Sequence, residues 1–395
     1  MSRPGRASRL VVPREEHFTS RLRSPSVTAR VGLWLGICFA VAFVTGLLSH
    51  AAQSPTPWFP LPTRPSWGYR VTQGLHVISG TAAVPLLLVK LWTVFPKLFA
   101  RVPHGARERA LTAVERGSIA VLVTSSVFML ASGLANAAQW YPWAFSFRAT
   151  HFALGWVAVG ALLVHIGVKL PVIREALSGP LDAAVPVPPA AGVDAVAEGV
   201  LSRRALLRTT WVATGAAVVL SAGSTVPQLR GVSLFGTRSG AGPGGIPVNK
   251  SAAAAGVVAA ATDPAWRLVI RSANATLELS RSDLEAMPQV SAELPIACVE
   301  GWSASGTWTG VTLATVLALV GHREGDVRVV SLQQDGPFRV TTLPVQWVQD
   351  PLTLLALGLD EETLALDHGY PVRLIAPNRP GVLQTKWLSR LEVVT

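Results

Sequence analysis

Up to residue 226 the chain consists of long apolar runs broken by short polar stretches; beyond residue 262 it changes to short segments in which apolar and polar positions alternate. The long runs are 31–48, 71–95, 117–138, 149–170 and 209–226. Each is close to the ~20 residues that an α-helix needs to cross ~30 Å of hydrocarbon, so five spans are predicted. In the C-terminal part, 266–271, 275–279, 327–332, 338–343, 371–375 and 388–394 read as strands by alternation. Residues 281–287 and 313–320 read as short helices, the first with Ser280 as its N-cap. The segment 351–359, with spaced Leu, Ala and Gly, fits a strand or a helix equally. The expected fold class is a five-span α-helical membrane domain followed by a mixed α+β domain.

Composition agrees with a membrane portion: 50% of residues are hydrophobic, 14% are charged and the mean hydropathy is +0.40. A formal net charge of +11 raises the question of nucleic acid, but the cations sit beside the apolar runs, which points to membrane topology instead. Lys97, Arg101, Arg107, Arg109 and Arg116 lie between runs two and three, and Lys169, Arg174, Arg203, Arg204 and Arg208 between runs four and five. The other two loops carry few cations and are rich in Trp, Tyr and Pro. The positive-inside rule then puts the N-terminus in the cytoplasm of a bacterial cell and everything after 226 in the periplasm or outside.

The resulting organisation is a basic cytoplasmic tail (1–30), a four-span domain (31–170), a cytoplasmic linker (171–208), a fifth span (209–226), an outer linker (227–261) and a C-terminal domain (262–395). Ser202-Arg203-Arg204 before a modest apolar run is similar to a twin-arginine export signal, which carries folded, cofactor-loaded domains. The same two arginines also satisfy the positive-inside rule alone.

Two kinds of side chain carry candidate chemistry. The chain has two cysteines, Cys38 inside an apolar run and Cys298 in Leu294-Pro-Ile-Ala-Cys-Val-Glu-Gly-Trp-Ser, which excludes a Cys-based zinc site, a cysteine-ligated iron–sulfur cluster and a CxxCH haem attachment. Cys298 is either a small inert core residue or a soft metal ligand. Within the spans, His76 lies in run two and His151 and His165 in run four, and an ionisable group in hydrocarbon is costly enough to suggest function. His151 and His165 are fourteen positions apart, nearly four turns, so they share a helix face about 21 Å apart. That spacing is similar to the haem-bearing helices of b-type cytochromes. On the topology above, His76 and His151 both fall in the outer half of the bilayer and together fit the iron of one haem b. His165 has no facing histidine, and His50 is an alternative outer ligand. The competing reading is that these rings bond neighbouring polar groups between helices.

The motifs Cys298-Val-Glu-Gly-Trp-Ser, Trp308-Thr-Gly-Val, Asp367-His-Gly-Tyr-Pro-Val-Arg373-Leu-Ile-Ala-Pro and Lys386-Trp387 resemble, in order and spacing, the molybdopterin-binding domain of the sulfite oxidase superfamily. The C-x-E-x-W-S pattern resembles the periplasmic subgroup of protein-methionine-sulfoxide reductases. The resemblance implies that Cys298 ligates molybdenum beside a molybdopterin dithiolene and oxo groups, and that an oxygen atom moves while the metal changes oxidation state by two. It implies further that His368, Arg373 and Lys386 hold the pterin phosphate, Arg by forked hydrogen bonds and Lys as a point charge. The sequence departs from the pattern at Leu383, where the family carries a cation; Arg379 is a substitute candidate or a solvated turn residue. The implied protein exchanges electrons between the quinone pool and molybdenum through haem, and it reduces a small or protein-bound sulfoxide or N-oxide. A sulfite-type dehydrogenase running in the opposite direction and a non-catalytic membrane-anchored binding protein are the alternatives.

Overall fold

The computed structural model describes residues 13–394 except 19, 60, 183–200 and 235–241. Parts of the expected tail and of both linkers therefore lie outside the described residues. Five long helices, α1 (Pro25–Ala52), α2 (Gly68–Val94), α3 (Ala106–Ala137), α4 (Phe147–Ser178) and α5 (Arg203–Ser221), occupy the positions of the five apolar runs. All five are long and apolar enough to cross a membrane. Several of their hydroxyls are satisfied within the helix, as where Thr45 and Ser125 donate to the carbonyls four residues earlier at 2.6 and 2.7 Å.

The chain divides into two compact units. The first comprises residues 1–40, 80–131 and 149–217. Its apolar centre joins Val27, Val31 and Leu86 to Leu35, Val89 and Leu206. Basic side chains finish its helix ends: Arg30 donates to Ala176 O at 3.2 Å and Gly179 O at 3.0 Å, supplying partners to the last carbonyls of α4. Arg203 is buried and donates to Arg21 O at 2.9 Å and Leu181 O at 3.0 Å, while Arg204 pairs with Asp182 at 2.9 Å.

The second unit comprises 41–79, 132–148 and 218–395. Its C-terminal domain is mixed α+β. The strands are β1 (Leu268–Arg271), β2 (Thr276–Leu279), β3 (Val290–Ala297), β4 (Ser303–Thr312), β5 (Val327–Ser331), β6 (Val340–Leu343), β7 (Leu354–Leu359), β8 (Glu362–Thr363), β9 (Arg373–Ile375) and β10 (Leu388–Val393). One sheet has the order β2-β1-β10-β5-β6, with β1 parallel to β10 and the other pairs antiparallel. The other sheet runs β3-β4-β7-β8, with β9 also paired to β7. The short helices α6 (Val258–Thr262), α7 (Arg281–Glu285), α8 (Leu313–Ala318) and α9 (Val345–Val348) punctuate the strands. Ser280 caps α7 in a reciprocal box with Asp283, as its sequence suggests.

The ambiguous 351–359 segment resolves as strand β7. It is buried on both faces between β4 and β9, so continuous apolar character rather than alternation is what its environment selects. β3 and β4 had no strand signature of their own, yet they form an eight-residue antiparallel ladder, from Val290 opposite Gly310 to Ala297 opposite Ser303. β3 buries Ala292, Leu294 and Ile296 on one face, and this alternation delivers Cys298 into the core beside Trp302 and Trp308 at the strand's end.

Candidate active site

The turn after β3 is closed by two backbone hydrogen bonds, from Cys298 N to Trp302 O at 2.9 Å and from Gly301 N to Cys298 O at 3.0 Å. Gly301 takes φ +87°, a left-handed conformation open to glycine, and a Cβ there would lie 2.8 Å from Val77 Cγ2. The turn holds the Cys298 thiol in the core at 1% exposure. Burial, and then the neighbouring Glu300 carboxylate, push that thiol's pKa well above its ordinary value. Left to itself the sulfur is a protonated, unreactive group; a bound metal cation is the agent that would hold it as thiolate.

Glu300 folds back over the turn. Its Oε2 accepts from Trp302 Nε1 at 2.8 Å and from Gln139 Nε2 at 2.7 Å, and lies 3.7 Å from Cys298 Sγ. The strand-to-turn change after Cys298 explains why simple alternation does not fix the direction of this side chain.

Cys298 shares one pocket with His368, Arg373 and Lys386, all three named from the sequence, together with Asn249 and Trp302. β9 carries Arg373, and a short 3-10 turn before it, Leu366–His368, carries His368. Gly369 follows with φ +115°, and a Cβ on it would come within 3.0 Å of Lys386 Cα, which keeps His368 and Lys386 close. His368 Nε2 bonds Pro243 O at 2.7 Å, and burial beside Arg373 pulls its pKa down to about 4. Arg373 donates Nη1 to His368 O at 3.1 Å and lies over the Trp308 ring, while its buried Nε has no partner among the described residues. Burial lowers its pKa to about 9. Lys386 Nζ donates to Lys250 O at 2.6 Å and Asp367 O at 3.0 Å; burial, then Arg373, bring it to about 7.

Two buried cations beside a neutral imidazole are offset by one nearby carboxylate, Asp367, which also accepts Ala252 N at 2.8 Å, so an added anion would relieve the remaining positive charge. A phosphorylated pterin bound through sulfur to a metal at Cys298 therefore fits this donor set, including the unpartnered Arg373 Nε.

Arg379 is neither in this pocket's lining nor a solvated turn residue. It is 3% exposed and donates to Leu383 O and Thr342 O, each at 3.1 Å. It ties backbone together, and the cation missing at Leu383 has no replacement from it.

The histidines divide between the units, His76 in the second and His151 and His165 in the first. His76 Nδ1 lies 2.8 Å from Ala42 O. With Nδ1 as the donor, Nε2 carries the lone pair, the tautomer a metal-ligating histidine uses. Gly46 packs against the ring, since a Cβ there would meet His76 Cε1 at 3.1 Å, a contact the sequence did not single out. A porphyrin needs close backbone approach, which glycine allows: on the histidine-bearing helices Gly80 has nothing within 4 Å of an added Cβ, whereas Gly155 meets Met129 at 3.6 Å and Gly74 meets Thr225 at 3.1 Å.

Residues 255–395 match the family model described as the oxidoreductase molybdopterin binding domain. This part of the chain is thus a molybdopterin-binding oxidoreductase domain, starting slightly before the position where the strand pattern begins. Among curated proteins, the one named as subunit YedZ1 of a protein-methionine-sulfoxide reductase in Azospira oryzae is 35% identical over 111 residues, covering 28% of this chain and 42% of that protein. The protein-methionine-sulfoxide reductase catalytic subunit MsrP of Gluconobacter oxydans is 30% identical over 115 residues, 25% of this chain and 36% of that one. Mitochondrial sulfite oxidase of Rattus norvegicus is 29% identical over 145 residues, 30% of this chain and 27% of that one. The chain spans less than half the length of each of these three relatives.

Proposed function

We propose that the chain is a membrane-bound, molybdopterin-dependent oxidoreductase that reduces a sulfoxide or N-oxide, with electrons from the quinone pool relayed through haem b. The observation that carries the reading is the convergence of Cys298, His368, Arg373 and Lys386 on one pocket. Cys298 would ligate molybdenum, and Arg373, Lys386 and neutral His368 would hold the pterin phosphate. When bound, that cofactor supplies two-electron oxygen-atom transfer. The balanced reaction takes a sulfoxide, two electrons and two protons to a thioether and water.

The chain's own residues bind and orient. The β3 turn holds the thiol away from bulk water, Arg373 and Lys386 neutralise the phosphate, and the Glu300 carboxylate puts negative charge beside Cys298. That charge opposes an anionic substrate such as sulfite more than a neutral sulfoxide, which favours the reductase over the dehydrogenase reading. The similarity to sulfite oxidase keeps the dehydrogenase as the second reading.

The five apolar helices support a membrane location, and the cation-rich loops support a cytoplasmic N-terminus with the catalytic domain outside. The proposed haem site is His76 with His151, and the His76 tautomer supports its part in it. Steady-state assays decide between the readings: quinol-dependent reduction of methionine sulfoxide is the expected result, and sulfite oxidation without sulfoxide reduction would reverse the direction.

A further inference from the structure

The turn that carries Cys298 is held from the side opposite its strand by amides that belong to the helical segments of the chain. Val299 O accepts from Asn136 Nδ2 at 3.0 Å and more weakly from Gln73 Nε2 at 3.4 Å. Asn136 lies in the last turn of α3, and Tyr141 OH donates to its Oδ1 at 3.0 Å, which fixes the amide with Nδ2 toward the turn. Gln73 lies in the second turn of α2, and Ser49 occupies its Oε1 at 2.9 Å, which aims Nε2 the same way. The next residue along, Glu300, takes the Gln139 amide, and Thr225 donates to Gly301 O. Every residue of the turn from Val299 to Gly301 thus has a side-chain partner from outside the molybdopterin-binding domain.

The backbone at Gln139 adds an independent observation. α3 ends there in a left-handed cap, with φ +54° at Gln139 and Trp140 N bonded back to Ala135 O at 2.8 Å. Glycine is the residue such a position favours. A glutamine at this position accepts an unfavourable backbone conformation, and in exchange it presents an amide to Glu300.

We infer that Asn136 and Gln139 are positioning residues for the molybdenum ligand: they set the geometry of the Cys298–Gly301 turn from the end of α3, and so couple the membrane segment to the metal site. The inference rests on the reading of Cys298 as that ligand. Gln139→Gly relieves the backbone and removes the amide, so it separates positioning from folding.

The test uses the full-length, cofactor-loaded protein with Gln139→Gly, with Asn136→Leu, and with Arg64→Met as a control. Arg64 pairs with Asp350 at 2.9 Å, far along the chain from the turn. The expected result for Gln139→Gly is unchanged or higher thermal stability, wild-type molybdenum content, an altered Mo(V) EPR spectrum and turnover lower by about tenfold. Asn136→Leu should alter the spectrum as well, and Arg64→Met should not. Both turn variants should exchange the 298–302 amide hydrogens faster than wild type, a readout that needs no metal. Spectra and exchange identical to wild type would overturn the inference, as would an equal spectral change in Arg64→Met. A wild-type protein without molybdenum whose turn still loosens in the variants would bring down the metal reading and leave the positioning role standing.

Discussion

The side-chain oxygen of Asn378 accepts the backbone N–H of Tyr69, in the first turn of α2, at 2.5 Å. A residue of the molybdopterin-binding domain thereby caps a helix more than three hundred positions earlier in the chain. The same amide donates Nδ2 to Pro62 O at 2.7 Å, and the Asn378 backbone sits at φ +53°, a conformation asparagine tolerates better than most residues.

Replacing Asn378 by Leu removes both side-chain bonds and strains the left-handed backbone. The full-length protein in detergent should lose about 2 to 3 kcal/mol of stability, seen as a lower midpoint of thermal unfolding, and Asn378→Gly should lose less. Equal stabilities for wild type and Asn378→Leu would show that the cap carries no weight.

Lys386 gives a pH signature. Its folded pKa of about 7 lies below its ordinary 10.5, so between these values the unfolded chain binds more protons and stability rises with pH. Apoprotein from cells unable to make molybdopterin should gain on the order of 2 kcal/mol from about pH 7 to about pH 10. Lys386→Met should flatten that slope. A bound phosphate raises the lysine's pKa and should flatten it too, so the difference between apo and holo protein measures whether the anion sits where Lys386 is.

Cys298→Ser should fold, since the exchange is nearly isosteric, but it should lose at least a hundredfold in turnover because an alkoxide is a harder, more basic ligand than thiolate. Molybdenum content and activity are measured together. A Ser variant that keeps both the metal and the wild-type rate refutes the ligand assignment.

For the haem, His76→Ala or His151→Ala should each remove the b-type absorption band and quinone-linked activity, while activity with a soluble artificial donor persists. His165→Ala should have a smaller effect, being about 21 Å from His151 along the helix. Loss of the whole band in the His165 variant alone means that a different pair holds the iron.

The parts of this protein legible in the sequence are those where a local pattern and the final environment agree. The five helices are long, largely apolar runs, and a single run of that length satisfies its own backbone hydrogen bonds as a helix. Ser280 announces α7 through its own capping chemistry. β4, by contrast, reads Ser-Ala-Ser-Gly-Thr-Trp-Thr-Gly-Val-Thr, with residues typical of loops, and becomes a strand because β3 and β7 flank it. Cys298, His368, Arg373 and Lys386 were recoverable only by their resemblance to a known order of motifs, since nothing local links positions so far apart. Gln139 and Asn136 carried no signal at all. A polar residue just past a long apolar helix is ordinary, and its partner, Glu300, is 161 positions away.

The pairing of β1 with β10 has a kinetic consequence. Val269 finds its parallel partner Arg390 more than a hundred positions later, and β10 is the middle strand of its sheet. Until residues 388–393 are available, β1 with β2 and β5 with β6 are two separate hairpins, each with an open edge. Local helices can form in microseconds, whereas a sheet joined through its centre by so distant a segment closes late. During that interval the unpaired edges of β1 and β5 are the places where another chain could add on, so aggregation during expression should respond to changes in β10 more than to changes in any of the five long helices.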